Sequence, residues 1–139
     1  MGETGYGMFK DSVNKKVPKP ILESIDGDLS ATEVLAALKK GKHGKAPGQD
    51  GFTREFYKVF AEELLPFIMQ YVEFSKERGI LSEHQRIGVI TLLPKGKKDK
   101  RQLKNWRPIT LLNTLYKIIS GAIATRVKKV LPHIINEDQ

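Results

Sequence analysis

Between Lys95 and Arg107 the chain carries Lys95, Lys97, Lys98, Lys100, Arg101, Lys104 and Arg107, opposed only by Asp99, and Trp106 adjoins the last arginine. Lysine ammonium groups are compact point charges suited to phosphate. A guanidinium grips a phosphate through two donors, and an indole stacks on a base. This set has the chemistry of a nucleic-acid contact; the alternative is a solvated loop with Trp106 in the core. A second basic stretch, "KGKHGKAPGQDGF" at 40–52, sets Lys40, Lys42, His43 and Lys45 before a Pro-Gly-Gln-Asp-Gly turn. Taken alone it is a linker, a phosphate loop or a polymer contact. It is not a Walker A loop, because Gly44-Lys45 is followed by Ala46 where Ser or Thr is required, and no strand precedes it.

Other chemistries are poorly provided for. A nucleotidyl transferase needs carboxylates that hold two divalent ions. The chain has no Asp-Asp pair, and Asp11, Asp26, Asp28, Asp50, Asp99 and Asp138 fall mostly in connectors. Asp26 and Asp28 read as a turn leading into a helix cap, so no metal site is expected. His43, His84 and His133 lie far apart with unrelated neighbours, and no Ser-His-Asp pattern appears. With no cysteine there is no disulfide, thiolate nucleophile or cysteine-ligated zinc.

The 139 residues suit one domain, and the net charge of +8 favours an anionic partner, nucleic acid first. The first residues lack the apolar core of a secretory signal, and Tyr6 stands where a myristoylation motif needs Ser or Thr. No apolar run approaches the roughly 18–20 residues that span a bilayer. A soluble, intracellular chain is expected, in cytoplasm, nucleus or both.

The elements that must position the basic residues are legible by period. Residues 1–20, rich in glycine and lysine and closed by Pro18 and Pro20, read as a flexible lead-in ordered only near its end. "LSATEVLAALKK" reads as an amphipathic helix with a Ser30–Glu33 capping box and an apolar stripe of Val34, Leu35 and Leu38, ended by Gly41 and Gly44. Thr53 caps a second helix with Phe56, Phe60 and Leu64 as its buried face. Pro66 opens a third, stopped by Gly79. "IGVITLLPK" and "WRPITLL" read as an antiparallel hairpin joined by the long basic connector. Asn113 caps a last helix that ends before Pro132. The expected fold class is α+β, helices packed around a small antiparallel β-hairpin.

Three segments, "KAPGQDGFTREFYK", "ITLLPK" and "NWRPITLLNTLYKIISGAIATRVKKVLPHIINEDQ", stand together in an order and spacing that resemble the amino-terminal part of a non-LTR (LINE-type) retrotransposon reverse transcriptase. The resemblance runs from about residue 21 to 139. It implies the fingers and the start of the palm of a right-hand polymerase fold, the palm being incomplete. It implies that Lys95 and Arg107 bind the triphosphate of the incoming nucleotide; for Arg107 the alternative is a salt bridge fixing the hairpin. It sets the "GKAPGQDG" loop against the template strand, with Gly48 and Gly51 allowing close backbone approach and Lys45 facing phosphate. Pro47, Gly48 and Asp50 also suit a plain turn and helix start, and Phe56, Tyr57 and Phe60 suit a core. With Lys97, Lys98, Lys100, Arg101, Lys104 and Trp106 these complete the expected nucleic-acid contacts.

The sequence stops at "IINEDQ", short of the palm motifs that carry the catalytic aspartates in related polymerases. The resemblance therefore implies a piece of an RNA-directed DNA polymerase that does not polymerise alone. It would hold no cofactor, Mg2+ serving only the complete parent enzyme. Its partners would be RNA template, RNA/DNA duplex, deoxynucleoside triphosphate in the full enzyme, and the remaining palm and thumb, with no membrane. The competing expectation is a host-adopted or remnant module that binds nucleic acid or protein without polymerase activity.

Overall fold

The computed structural model describes residues 16–135, in two compact units: one spanning Leu29–Ile123, the other formed by the segments up to Asp28 and from Ala124 onwards. The expected flexible lead-in lies outside the described residues up to position 15. Its last residues, where order was expected, open a helix: α1, Lys19–Ile25, follows Pro18, with Pro20 in its first turn. Proline fits there because first-turn N–H groups have no intrahelical partner and the fixed φ is already helical. Within the same unit the Arg126 guanidinium donates to the carbonyls of Ile25 (3.2 Å), Gly27 (2.6 Å) and Asp28, satisfying acceptors past the end of α1.

In the larger unit α2, Ala31–Lys40, starts as its sequence dictates. Ser30 Oγ accepts from the Glu33 N–H at 3.3 Å, and the Glu33 carboxylate accepts from the Ser30 N–H at 2.9 Å. Val34 and Leu38 are fully buried and Leu35 packs beside them. Gly41 ends the helix in an extended conformation, and the orphan carbonyls are met by cations from the next helix. Arg54 donates to the Ala37 and Leu38 carbonyls at 3.0 and 3.2 Å, and Lys58 to Gly41 at 3.2 Å.

Thr53 caps α3, Arg54–Val59, as expected, but the helix breaks at Phe60 and not at Pro66. α4 then runs over Ala61–Arg78 with Pro66 inside it, and ends on left-handed Gly79 as expected. Pro66 is exposed and sits early in α4. It removes only the bond to the carbonyl of Glu62, an exposed residue, while Ala61 and Ile68 bury against the core. The break interrupts the expected Phe56–Phe60–Leu64 register. Phe56 and Leu64 pack on the core, Phe60 is exposed, and Tyr57 takes the buried place. The core of Val34, Leu38, Tyr57, Ala61 and Ile68 is completed by Ile118 from the last helix.

A short α5, Glu83–Arg86, leads into β1, Gly88–Pro94, which pairs antiparallel with β2, Trp106–Leu112, from Gly88 opposite Leu112 to Pro94 opposite Trp106. The α+β class and the hairpin stand as read. α6, Thr114–Ile134, continues through Pro132 where an end was expected. Pro132 forgoes one N–H bond, to the Lys128 carbonyl, and only two residues of the helix follow it. Asn113 precedes α6, but only its backbone carbonyl serves the helix, accepting from the Lys117 N–H at 3.3 Å. Its side chain is used elsewhere.

Candidate nucleic-acid interface

Successive residues of a strand face opposite sides, and directly opposed residues share one. The register thus sets Arg107 on one face with Leu93, and Trp106 on the other with Pro94. Lys95 follows β1, and its N–H extends the ladder to the Asn105 carbonyl at 2.7 Å before the chain turns, the Gly96 N–H returning to the Pro94 carbonyl at 3.1 Å. The two residues expected at the nucleotide therefore lie at the same end of the hairpin. Arg107 is exposed, and among the described residues no acidic side chain pairs with it. The Lys95 ammonium donates to the Lys104 carbonyl at 2.7 Å, which leaves two of its three N–H donors for an anion.

The connector is too long for an ordinary tight turn, yet it is folded on itself. Asn105 Nδ2 donates to the Asp99 carbonyl at 2.8 Å, and Trp106 Nε1 donates to the Lys100 carbonyl at 2.8 Å. Asp99, the single acid of the run, accepts from the Arg101 N–H at 3.0 Å and from Arg101 Nε at 3.3 Å. These bonds spend backbone acceptors and one carboxylate, and they leave the cations outward. Lys97, Lys98, Lys100, Arg101 and Lys104 are all exposed. Trp106 is half-buried and fixes the loop through its N–H, so its role here is structural as well as aromatic.

The second basic stretch lies at the opposite end of the hairpin. Asn113, 2% exposed, follows the β2 residue that pairs with Gly88, and it holds the loop from behind. The Asp50 N–H donates to its Oδ1 (3.4 Å), while its Nδ2 donates to the His84 carbonyl (2.9 Å). Thr114 Oγ1 donates to the Phe52 carbonyl at 2.7 Å, and Lys117 Nζ reaches the Ala46 carbonyl at 3.4 Å. Gly48 is required by this packing, because a Cβ there would overlap Asn113. Its close approach is to the protein's own chain. Gly51 takes φ +74° and its N–H returns to the Gly48 carbonyl, closing the turn. Lys45 is exposed. The strand length separates this loop from the cationic tip by about 20 Å, so the two expected clusters flank the hairpin and do not form one pocket.

Upstream of the turn, the Gly44 N–H donates to Glu55 Oε1 at 2.8 Å, and His43 Nδ1 lies 3.3 Å from the same oxygen. The Gly44 bond, followed by that from the backbone of Glu55 itself, holds this carboxyl below the usual glutamate range. Burial, with the charge of Asp50 second, pushes the Tyr57 phenol up to about 12, so it stays neutral. Sequence reasoning missed Arg54, Lys58, Thr114 and Lys117 as supports. Each reads as an ordinary polar position, and only the tertiary fold brings carbonyls to it. Among the described residues no group of three or more His, Cys, Asp or Glu side chains could hold a metal ion, so these residues do not fit a divalent-ion site.

No family model matches the chain. It is 40% identical over 117 residues, 84% of its length, to the transposon TX1 uncharacterized 149 kDa protein of Xenopus laevis. It is 23% identical over 99 residues, 71% of its length, to the probable RNA-directed DNA polymerase from transposon X-element of Drosophila melanogaster. These matches cover 9% and 11% of the two proteins, so the chain spans about a tenth of the length of the curated relatives it matches. Both relatives are transposon proteins. Among the described residues no helix is long and apolar enough to cross a membrane.

Proposed function

We propose that these residues are the fingers and the beginning of the palm of a non-LTR retrotransposon reverse transcriptase, and that they contribute contacts to template and incoming nucleotide. The observation that carries this reading is the hairpin with Lys95 and Arg107 at its cationic end, in a chain similar to transposon proteins. One of those relatives bears the name of a probable RNA-directed DNA polymerase. Transfer of a nucleotidyl group spreads charge over the triphosphate, and preorganised cations at that charge lower the barrier. Arg107 would supply a planar fork to the phosphates and Lys95 a point charge beside it. The loop cations from Lys97 to Lys104 would track the backbone of the template strand, and the turn carrying Lys45 would meet the same strand at the other end of the hairpin.

In this reading the chain binds and orients and does not transfer nucleotides alone. The metal-holding carboxylates and Mg2+ belong to other parts of a longer polymerase, in the nucleus or cytoplasm of the cell. Steady-state primer extension by such a polymerase tests the clamp. Arg107→Ala is expected to raise the KM for deoxynucleoside triphosphate about tenfold, the loss of one charge-assisted contact. An unchanged KM overturns the assignment.

A further inference from the structure

Helix α4 carries a feature that neither the hairpin nor the core uses. Phe60, just ahead of it, and Phe67 and Phe74 within it recur every seven residues, a spacing that drifts by only about 20° per step and so forms one stripe along the helix. All three are exposed, Phe67 at 69%. Phe56 extends the stripe at one end, its ring 5.1 Å from that of Phe60, and Arg78 lies 4.4 Å over the ring of Phe74 at the other. The core is made by a different side of α4, through Ala61 and Ile68.

The flank of this stripe is acidic in a chain of net charge +8. At 3.6 residues per turn Glu63 and Gln70 border the phenylalanines, and Glu77, Glu73 and Glu62 continue the same side; all are exposed. Lys76, which belongs to the far side, lies 3.9 Å from Glu73. A polyanion is repelled by such a flank, although aromatic rings alone would suit bases. An aromatic stripe with heptad spacing accepts the apolar face of another helix, and the glutamates select positive charge beside that face.

We propose that the Phe60–Phe67–Phe74 stripe of α4 is a docking site for a basic amphipathic helix. The test uses the 139-residue chain and two synthetic helical peptides, one of leucine and lysine and one of leucine and glutamate in the same pattern. Backbone amide shifts are followed by NMR. The lysine peptide is expected to shift amides over residues 60–78 and the glutamate peptide to leave them in place. Phe67→Ser, at a position outside the core, is expected to weaken the lysine peptide about tenfold or more, and Glu63→Lys with Glu77→Lys to abolish it. Equal shifts with both peptides, or Phe67→Ser binding as tightly as the parent, would overturn the proposal. So would shifts of the amides over residues 60–78 when oligouridylate is added without peptide. Shifts over 60–78 that appear when the chain is concentrated alone, and vanish in Phe67→Ser, would overturn it in favour of a second copy as occupant.

Discussion

At the scale of single residues, the turn at 47–51 is decided by Asn113. Its side chain meets the Asp50 N–H and the His84 carbonyl while its backbone lies where a Cβ of residue 48 would be. Gly48→Ala is therefore expected to destabilise the fold by about 1–3 kcal/mol through forced backbone shifts. A urea midpoint equal to that of the parent would contradict this packing. Glu55 makes a second case. Its carboxyl is held below the ordinary value of 4.5, first by the Gly44 N–H, so the unfolded chain binds more protons than the folded one as acid is added. Its stabilisation is present above 4.5 and is lost as pH falls through the lower folded value. Glu55→Gln should flatten stability against pH below 4.5, measured as denaturation midpoints, with little change in shape near neutrality.

At the scale of elements, cations at helix ends and bonds within the loop do the positioning. Arg54 donates from one nitrogen, Nη1, to two carbonyls at the end of α2, and the shorter reach and different shape of a lysine ammonium would weaken both bonds. Arg54→Lys should lower stability by about 1 kcal/mol, and Arg54→Ala by up to about 3, with amide exchange in the last turn of α2 accelerated first. In the connector, Trp106→Phe keeps a ring but removes the N–H bond to Lys100. Exchange at residues 99–105 should quicken while the β1–β2 ladder stays protected, and protection unchanged throughout would remove Trp106 from this role. Much of this level is legible in sequence. The Ser30–Glu33 box, the Thr53 cap, Gly79 and both strands follow from local chemistry. The break at Phe60 and the passage of α4 through Pro66 do not, because burial of Ala61 and Ile68 and the exposure of Pro66 decide them, nor does that of α6 through Pro132, two residues from its end. The candidate site divides in the same way. Its cations are written in the chain as a run, whereas the hub at Asn113 and Thr114 depends on residues more than sixty positions apart.

At the scale of the whole molecule, a chain of net charge +8 sets seven cations against one acid at one end of an antiparallel hairpin, and the relatives of the chain are transposon proteins. A reverse transcriptase fingers region and a nucleic-acid-binding module both require that this end meet nucleic acid, whereas a protein-binding module does not. The most direct measurement is filter binding of the 139-residue chain to single-stranded RNA across a salt series, with Lys98→Ala, Arg101→Ala and an acidic polypeptide as competitor. Log affinity is expected to fall linearly with log salt, by about 0.7 per phosphate contact, with a modestly weaker affinity and a smaller slope in each variant. RNA affinity no better than that for the acidic polypeptide, or slopes untouched by both substitutions, would contradict it.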